Sequence, residues 1–357
     1  MRFLLIAGTV IVALLGYTGL WFFTAERLER GIEHWAASER AKGSIVNYES
    51  LKITGFPYRM RAELTDVAIA RPTKAGMAMV GTRTLVIDSY PHKINHLIFD
   101  FPAPIHYDRP LGDKPHNQDW REQTELNFEE AHASVVLTLE GARASFEGKG
   151  LSARARFSQH GAEPGPYAPL LNATSVAGHL RPAPDRDDVT EGFMQALAVQ
   201  FARKNPRTGT IPPALERFQS TFFGTHSGSV LRSLQSGATP EATIKAWAKQ
   251  GGTLEIDRVF AKVENLEVTA SGDLVVDEAG FPRGPLSFKA VGWRESAVLV
   301  NPDGRRTRQQ QDMARGIFEL LDQLDGKLDG TMQTKLELHK GGAWLGPFRL
   351  LELEKVW

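Results

Sequence analysis

The chain has 357 residues, which is enough for one large domain or two small ones. Its 42 basic residues balance 42 acidic residues, so there is no basic field that would attract nucleic acid. Cysteine is absent, which excludes disulfides, thiolate metal sites and cysteine nucleophiles. Hydrophobic residues make up 42% of the chain, a share typical of a folded core rather than of disorder.

An uncharged run opens the chain, from Phe3 to Trp21 and on through Phe23. As a helix rising about 1.5 Å per residue, it would be about 30 Å long, which matches the hydrocarbon core of a bilayer. A cleaved signal would have a shorter apolar run of about 7 to 15 residues, followed by a small-x-small site. Trp21, Phe22 and Phe23 stand where those small residues would be. We therefore expect an uncleaved signal anchor over residues 1–25.

The charges around this run predict its orientation. Arg2 and the free amino group carry the positive charge on the short side, which places the N-terminus in the cytoplasm. Localisation in the inner membrane follows as an expectation, with a single pass and the main domain in the periplasm.

A second helix is predicted over residues 26–43, with Thr24 as its N-cap and Lys42-Gly43 as its end. Its apolar residues recur three and four apart, from Leu28 to Ile32 and Ala36, and charged residues occupy the opposite face. Two placements stay open. The apolar stripe docks on the domain, or the helix continues the anchor or lies on the membrane.

Residues 44–188 are predicted to form a β-rich half. After the Gly55-Phe56-Pro57 turn, apolar and charged residues alternate, which is typical of a half-buried antiparallel strand. Tyr58, Met60, Ala62 and Leu64 share the apolar face of this strand. Further strands are expected at 67–70, 84–88, 96–101, 134–140, 142–147, 151–157 and 170–180.

Residues 189–250 are predicted to be a helical insertion, and residues 251–357 a second β-rich half. The insertion would hold helices through 193–201, 213–223 and 240–248. In the second half, an acidic, glycine-rich turn joins two strands between Gly272 and Phe288, residues 312–324 form an amphipathic helix, and a hairpin closes the chain. The fold class is therefore β-rich α+β: an N-terminal transmembrane helix followed by long antiparallel curved sheets with helical insertions.

The sequence carries no catalytic or phosphate-binding motif of the familiar types. The nearest approach to a metal site is an irregular set broken by prolines: His92, His96, Asp100, His106, Asp108, His116 and Asp119. Metal ligands must converge on one point, so we interpret these as scattered loop residues. Neither His226 beside Thr225 and Ser227 nor the Glu255/Asp257 and Asp273/Asp277 carboxylates indicate a catalytic group. We expect no enzyme, no cofactor and no metal.

Three stretches resemble a known family. They are the anchor with the Trp35-Ala36-Ala37 helix behind it, the turn from Ile53 to Met60, and the closing Leu345-Gly346-Pro347-Phe348. The chain resembles an uncharacterised family of signal-anchored envelope proteins of Gram-negative bacteria. The 272–286 hairpin and the glycine-rich ending are also similar to pieces of the AsmA-like envelope proteins. That similarity implies a curved sheet with an apolar groove that carries lipid.

We therefore expect a non-enzymatic, membrane-anchored envelope protein that binds lipid or another hydrophobic ligand in a β-groove. Tyr58, Met60 and Leu64 are the candidate lining residues. The alternative is a scaffold that binds an envelope protein through the sheet surface or an edge strand.

Overall fold

The computed structural model describes residues 2–73, 75–112, 120–138, 141–159, 162–203, 211–236, 238–296, 307–324 and 331–356. Its eighteen strands form a large antiparallel sheet, with a long apolar helix at the N-terminus. The predicted β-rich class is confirmed. The chain divides into two compact units, Met1–Leu139 with Arg154–Tyr167, and Glu140–Ala153 with Ala168–Trp357.

The first unit consists of one long helix and a meander of strands. Its elements are α1 (Arg2–Ala41), β1 (Ile45–Asn47), β2 (Ser50–Thr54), β3 (Met60–Thr73), β4 (Gly76–Tyr90), β5 (Lys93–Asp100), β6 (Ile105–Pro110), β7 (Trp120–Asn127) and β8 (Glu130–Thr138). β1 and β2 pair with β3, β3 with β4, and β4 with both β5 and β6. β8 pairs with β5, and β7 with β6.

Helix α1 contains both predicted helices without a break. Thr24 is therefore not an N-cap: its hydroxyl donates to the carbonyls of Leu20 and Trp21 inside the helix. The C-terminal half of α1 continues the apolar segment and also docks on the sheet, so docking and continuation, predicted as alternatives, both occur. Leu28 and Ile32 pack with Ala62, Leu64 and their neighbours on β2 to β5. Gly43, at φ +87°, ends the helix as expected.

The second unit continues the antiparallel order. Its elements are β10 (Ala168–Pro182), β11 (Val189–Phe201), β12 (Leu215–Thr225), α2 (Ser227–Gln235), α3 (Pro240–Lys249), β13 (Leu254–Val263), β14 (Leu266–Val276), β15 (Pro282–Val291), α4 (Arg308–Leu324), β16 (Thr331–His339), β17 (Gly342–Leu345) and β18 (Phe348–Glu352). Each strand from β10 to β18 pairs with the next. Strand β9 (Gly141–Gln159) contributes residues to both units.

Two helices predicted between residues 189 and 250 are wrong. Residues 193–201 and 213–223 lie largely within strands β11 and β12, which pair with each other along ten positions. Among the described residues of this region, only α2 and α3 are helical, and Thr239 caps α3 as an accepting hydroxyl. The physical reason is that apolar residues spaced four apart also fall on one face of a strand, because four is an even number.

The other elements of the second β-rich half agree with prediction in type. The turn between Val276 and Pro282 joins β14 to β15, and α4 contains the predicted amphipathic helix. The predicted closing hairpin is formed by β16 and β17, and a further strand, β18, follows after Gly346 at φ +55°.

Candidate functional site: an apolar sheet face on β10–β16

The three predicted lining residues do not lie together on an open surface. Met60 and Leu64 are buried beneath α1, with 1% and 3% of their surface exposed. Met60 packs against Trp21 and Ala25, and Leu64 lies in the cluster reached by Leu28 and Ile32. Tyr58 precedes strand β3 and is 83% exposed. The apolar side of β3 is therefore occupied by the chain's own helix.

A larger apolar surface lies on the second unit, where directly paired residues form rows across the strands. One row crosses seven strands as Gly178, Met194, Ser220, Val259, Ala270, Phe288 and Thr334. The next consists of Val176, Ala196, Phe218, Ala261, Val268, Ala290 and Met332. A third, shorter row holds Leu180, Gly192, Phe222, Ile256 and Gly272. We call these three rows the apolar face; none of its members is charged.

The opposite face of the same strands is polar. One of its rows holds Ala177, Gln195, Gln219, Phe260, Thr269, Lys289 and Gln333. Toward one end of these strands, Arg181 donates to Glu191, and Arg186 donates to Glu255 while lying 5.0 Å from the Phe223 ring centre. The sheet of this unit is therefore amphipathic, with one side suited to water and the other to an apolar partner.

One part of the apolar face is covered by protein. Trp293, in a 3-10 turn after β15, and Phe318 of α4 pack with Leu266, Ala290 and Met332. Their rings meet edge to face at 5.7 Å. These five residues are at most 3% exposed, so this end of the face is an ordinary hydrophobic core.

The face is less covered toward β10 and β11. Leu180 is 46% exposed and Met194 45%, and the large side chains Phe218 and Phe222 are only partly buried. The Phe222 ring lies over Gly192, where an added Cβ would approach it to 2.2 Å. Glycine is thus required at residue 192 for Phe222 to lie flat against the sheet. Contiguous apolar surface of this kind marks binding sites in soluble domains.

The described residues of the histidine and aspartate set have separate partners. Among the residues that the structure describes, no group of three or more metal-ligating side chains converges. Asp100 pairs instead with His132 at 2.5 Å, Asp108 with Arg121 at 2.7 Å, and His96 with Ser134 at 3.0 Å. His116 and Asp119 lie outside the described residues. His92 lies in the turn before β5, but His96 and Asp100 lie on β5 and His106 and Asp108 on β6, so the prediction that these are loop residues is wrong for those four.

The carboxylates considered for catalysis lie on the second unit. Glu255 and Asp273 are directly paired on the polar face, and Arg186 binds Glu255 at 2.8 Å. Asp277 accepts the backbone N–H of Phe281 in the turn after β14. His226 occupies a left-handed conformation, at φ +57°, just before α2, and its carbonyl accepts from Ser229. Glu255, Asp277 and His226 therefore each have a local hydrogen-bond partner.

Helix α1 is long and apolar enough to cross a membrane. Its segment Thr9–Ala41 contains an 18-residue window with a mean hydropathy of 1.4, of which 17% is buried. Membrane anchors and signal sequences share this property.

The model of a bacterial protein family, described as uncharacterised proteins conserved in bacteria (DUF2125), matches residues 21–354. The chain belongs to this family. That match confirms the predicted membership of an uncharacterised family and extends from Trp21 in α1 through β18, so DUF2125 includes both units. No curated protein and no solved structure matches the chain. The AsmA-like similarity is not shown by these comparisons and stays a hypothesis.

Proposed function

We propose that this DUF2125 protein is a non-enzymatic envelope protein, held in the inner membrane by α1 with its N-terminus in the cytoplasm, and that it binds lipid acyl chains on the apolar face. The observation that carries this proposal is the exposure of Leu180 and Met194 on a face without charged residues. Covering apolar surface is favourable by roughly 25 cal/mol per Å².

Retention of α1 is supported by its contacts. Trp21 is 5% exposed and Ala25 6%, and both pack against Met60 at the start of β3. The Trp21 indole also donates to the carbonyl of Arg59 at 3.0 Å. A cut in the usual place for a signal peptide would remove Trp21 and open the core around Met60.

The chemistry of the apolar face favours an acyl chain over a protein segment. Ser220 and Thr334 supply its only hydroxyl groups, and neither is needed by a hydrocarbon ligand. Protein interfaces of ordinary size carry about ten hydrogen bonds, which this face has few groups to make. Gly178 adds room near the exposed end, since a Cβ there would meet only the Phe193 carbonyl, at 3.9 Å.

The proposal is tested by photocrosslinking in living cells with the full-length protein. Phe222 and Phe223 are adjacent residues on opposite faces of β12, so each in turn is replaced by p-benzoylphenylalanine. We expect a phospholipid adduct, detected by intact mass, at residue 222 and none at residue 223.

A pair of charge variants sharpens this test. Met194→Lys places a charge on the apolar face and should abolish the adduct at residue 222, whereas Gln195→Lys changes the polar face and should preserve it. Equal lipid labelling at residues 222 and 223 would contradict the proposal. A protein adduct at residue 222 in place of a lipid would favour the scaffold alternative.

A further inference from the structure

The turn between β2 and β3 contacts the apolar part of α1 through hydrogen bonds and aromatic rings. The Tyr17 hydroxyl donates to the Pro57 carbonyl at 2.5 Å, and Trp21 donates to the Arg59 carbonyl. The Phe56 ring stacks on Phe22 at 6.0 Å and meets Trp21 edge-on at 5.4 Å. Tyr17 lies six residues before the end of the uncharged run at Phe23, or about 9 Å along the helix. The turn is thus held beside the last two turns of the proposed membrane span.

The aromatic side chains of this turn are exposed although they are large. Phe56 is 49% exposed and Tyr58 83%, while neighbouring Phe22 and Phe23 on α1 are 60% and 53% exposed. Aromatic residues with one polar group are favoured at the boundary between headgroups and hydrocarbon. Tyr58, and Tyr17 and Trp21 on α1, are residues of this kind, and the exposed phenylalanines beside them supply further apolar surface.

Part of the backbone of the turn is already hydrogen-bonded within the protein. Pro57 has no N–H, its carbonyl accepts from Tyr17, and the Arg59 carbonyl accepts from Trp21. The Arg59 N–H donates to the Gly55 carbonyl at 3.1 Å. Backbone groups in a membrane must be satisfied internally, and these are. Gly55, at φ +102°, is needed for the close approach to Arg59.

The neighbouring strands end at the same side of the first unit. Met60 pairs with Ser89, so the turn from β4 to β5 lies beside the turn at residues 55–59. Strand β8 runs antiparallel to β5, so the end of β8 at Leu137 lies on the same side of the unit as the start of β5. Ile94 is 51% exposed and Leu137 56%, which adds two large apolar side chains to this edge.

Basic residues accompany these apolar ones. Lys93 is exposed beside Ile94, and the side chain of Arg59 is 45% exposed. Arg59 approaches Asp88 only to 3.4 Å, because Arg61 already binds both oxygens of that carboxylate at 2.8 and 2.6 Å. Arg59 and Lys93 therefore place two cations beside the exposed side chains Tyr58 and Ile94, and such cations suit lipid phosphates.

We propose that this edge of the first unit is a second membrane contact, in which Phe56, Tyr58, Ile94 and Leu137 enter the outer interface of the bilayer and Arg59 and Lys93 bind lipid phosphates. The inference rests on the proposed anchoring by α1. It adds an orientation: β3 rises from the membrane at Met60, and Thr73 stands about 43 Å further along the strand.

The absence of cysteine makes the test direct, because each introduced cysteine is the only one. Full-length protein carrying Leu15→Cys, Tyr58→Cys or Thr73→Cys is labelled with a nitroxide and reconstituted in liposomes of phosphatidylethanolamine and phosphatidylglycerol. Collisions of the nitroxide with oxygen and with a water-soluble nickel complex are then compared. We expect oxygen to dominate at residues 15 and 58, and the nickel complex at residue 73.

The two proposals fail in different ways. If residue 15 is inside the bilayer and residue 58 is as accessible to nickel as residue 73, the second contact is overturned while the anchor stands. If residue 15 is itself in water, anchoring by α1 fails and the second contact falls with it. A repeat in the same liposomes, with Arg59→Gln and Lys93→Gln added to Tyr58→Cys, checks the headgroup contact. The nitroxide at residue 58 should become more accessible to the nickel complex, and an unchanged accessibility would overturn the phosphate contact.

Discussion

Glu125 is a nearly buried carboxylate on β7, and its neighbours hold it in the charged form. Burial raises the pKa of Glu125, but hydrogen bonds from Asn127 and Arg154, with the charges of Arg154 and His106, outweigh that effect and lower the pKa below its ordinary value. A lowered folded-state pKa contributes stability above the unfolded value of about 4.3, and this contribution is lost as the pH falls through the folded-state pKa.

Glu125→Gln should destabilise the protein by about 1–3 kcal/mol at neutral pH, because Arg154 loses its charged partner. The difference from the unchanged protein should shrink below about pH 4. Thermal unfolding of the full-length protein in detergent across this pH range is the measurement. The exposed Glu129→Gln is the control and should change little. A difference that stays constant with pH would show that the carboxylate charge is not the stabilising feature.

Strand β3 and helix α1 stabilise one another as elements. Leu64 is 3% exposed in the cluster that α1 covers, whereas adjacent Glu63 is exposed on the other face of β3. Leu64→Glu should therefore break the contact between α1 and β3. The expected loss in the free energy of unfolding is about 3–5 kcal/mol, as for a buried charge without a partner. Glu63→Gln should be close to neutral.

Limited proteolysis of the purified full-length protein measures this effect. We expect early cleavage within residues 42–59, around β1 and β2, in Leu64→Glu but not in Glu63→Gln. Equal protease resistance of the two variants would mean that α1 does not stabilise the sheet. The same contacts imply that a fragment beginning at Ser44 would expose Met60 and Leu64, so lipid binding is better tested in the full chain.

The sequence predicts elements well where the chain is amphipathic with one clear period. Alternation identified Met60, Ala62 and Leu64 as one face of a strand, and all three are buried on one side of β3. Alternation cannot show what covers that face, because the covering side chains, such as Trp21 and Leu28 of α1, lie more than thirty residues before β3 in the chain. The prediction of a groove at these residues therefore missed the role of α1.

The apolar face of β10–β16 was missed for a different physical reason. These strands also carry large apolar residues on the polar face, such as Phe193, Phe223 and Phe260, so alternation is weak. A bulge between Ile256 and Val259 shifts the period within β13. In β11, Phe193, Leu197 and Phe201 repeat every four residues, which suits a helix as well as a strand. Only the pairing of distant strands reveals the rows.

At the scale of the whole molecule, the state of the N-terminus determines how the protein is held in the envelope. A signal peptide would be removed and leave a freely diffusing protein, whereas a retained α1 keeps both units at the membrane. The contacts of Tyr17 and Trp21 with the turn before β3, and the burial of Trp21, favour retention. These contacts belong to the folded protein, so they are a structural reason to expect that α1 is retained. The sequence reason is that Trp21, Phe22 and Phe23 occupy the positions of a small-x-small site.

The corresponding prediction is that protein isolated from bacterial envelopes has an intact mass that includes residues 1–23 and stays in the membrane fraction after alkaline extraction. The matched variant Trp21→Ala with Phe23→Ala creates a small-x-small sequence at the end of the apolar run. It should be cut after residue 23, appear in the soluble fraction and unfold at a lower temperature, since Met60 loses the cover of Trp21. Recovery of the unchanged protein with a new N-terminus near Thr24 would overturn anchoring by α1. In that case any lipid bound to the apolar face would be carried by a diffusing protein rather than by one fixed to the bilayer.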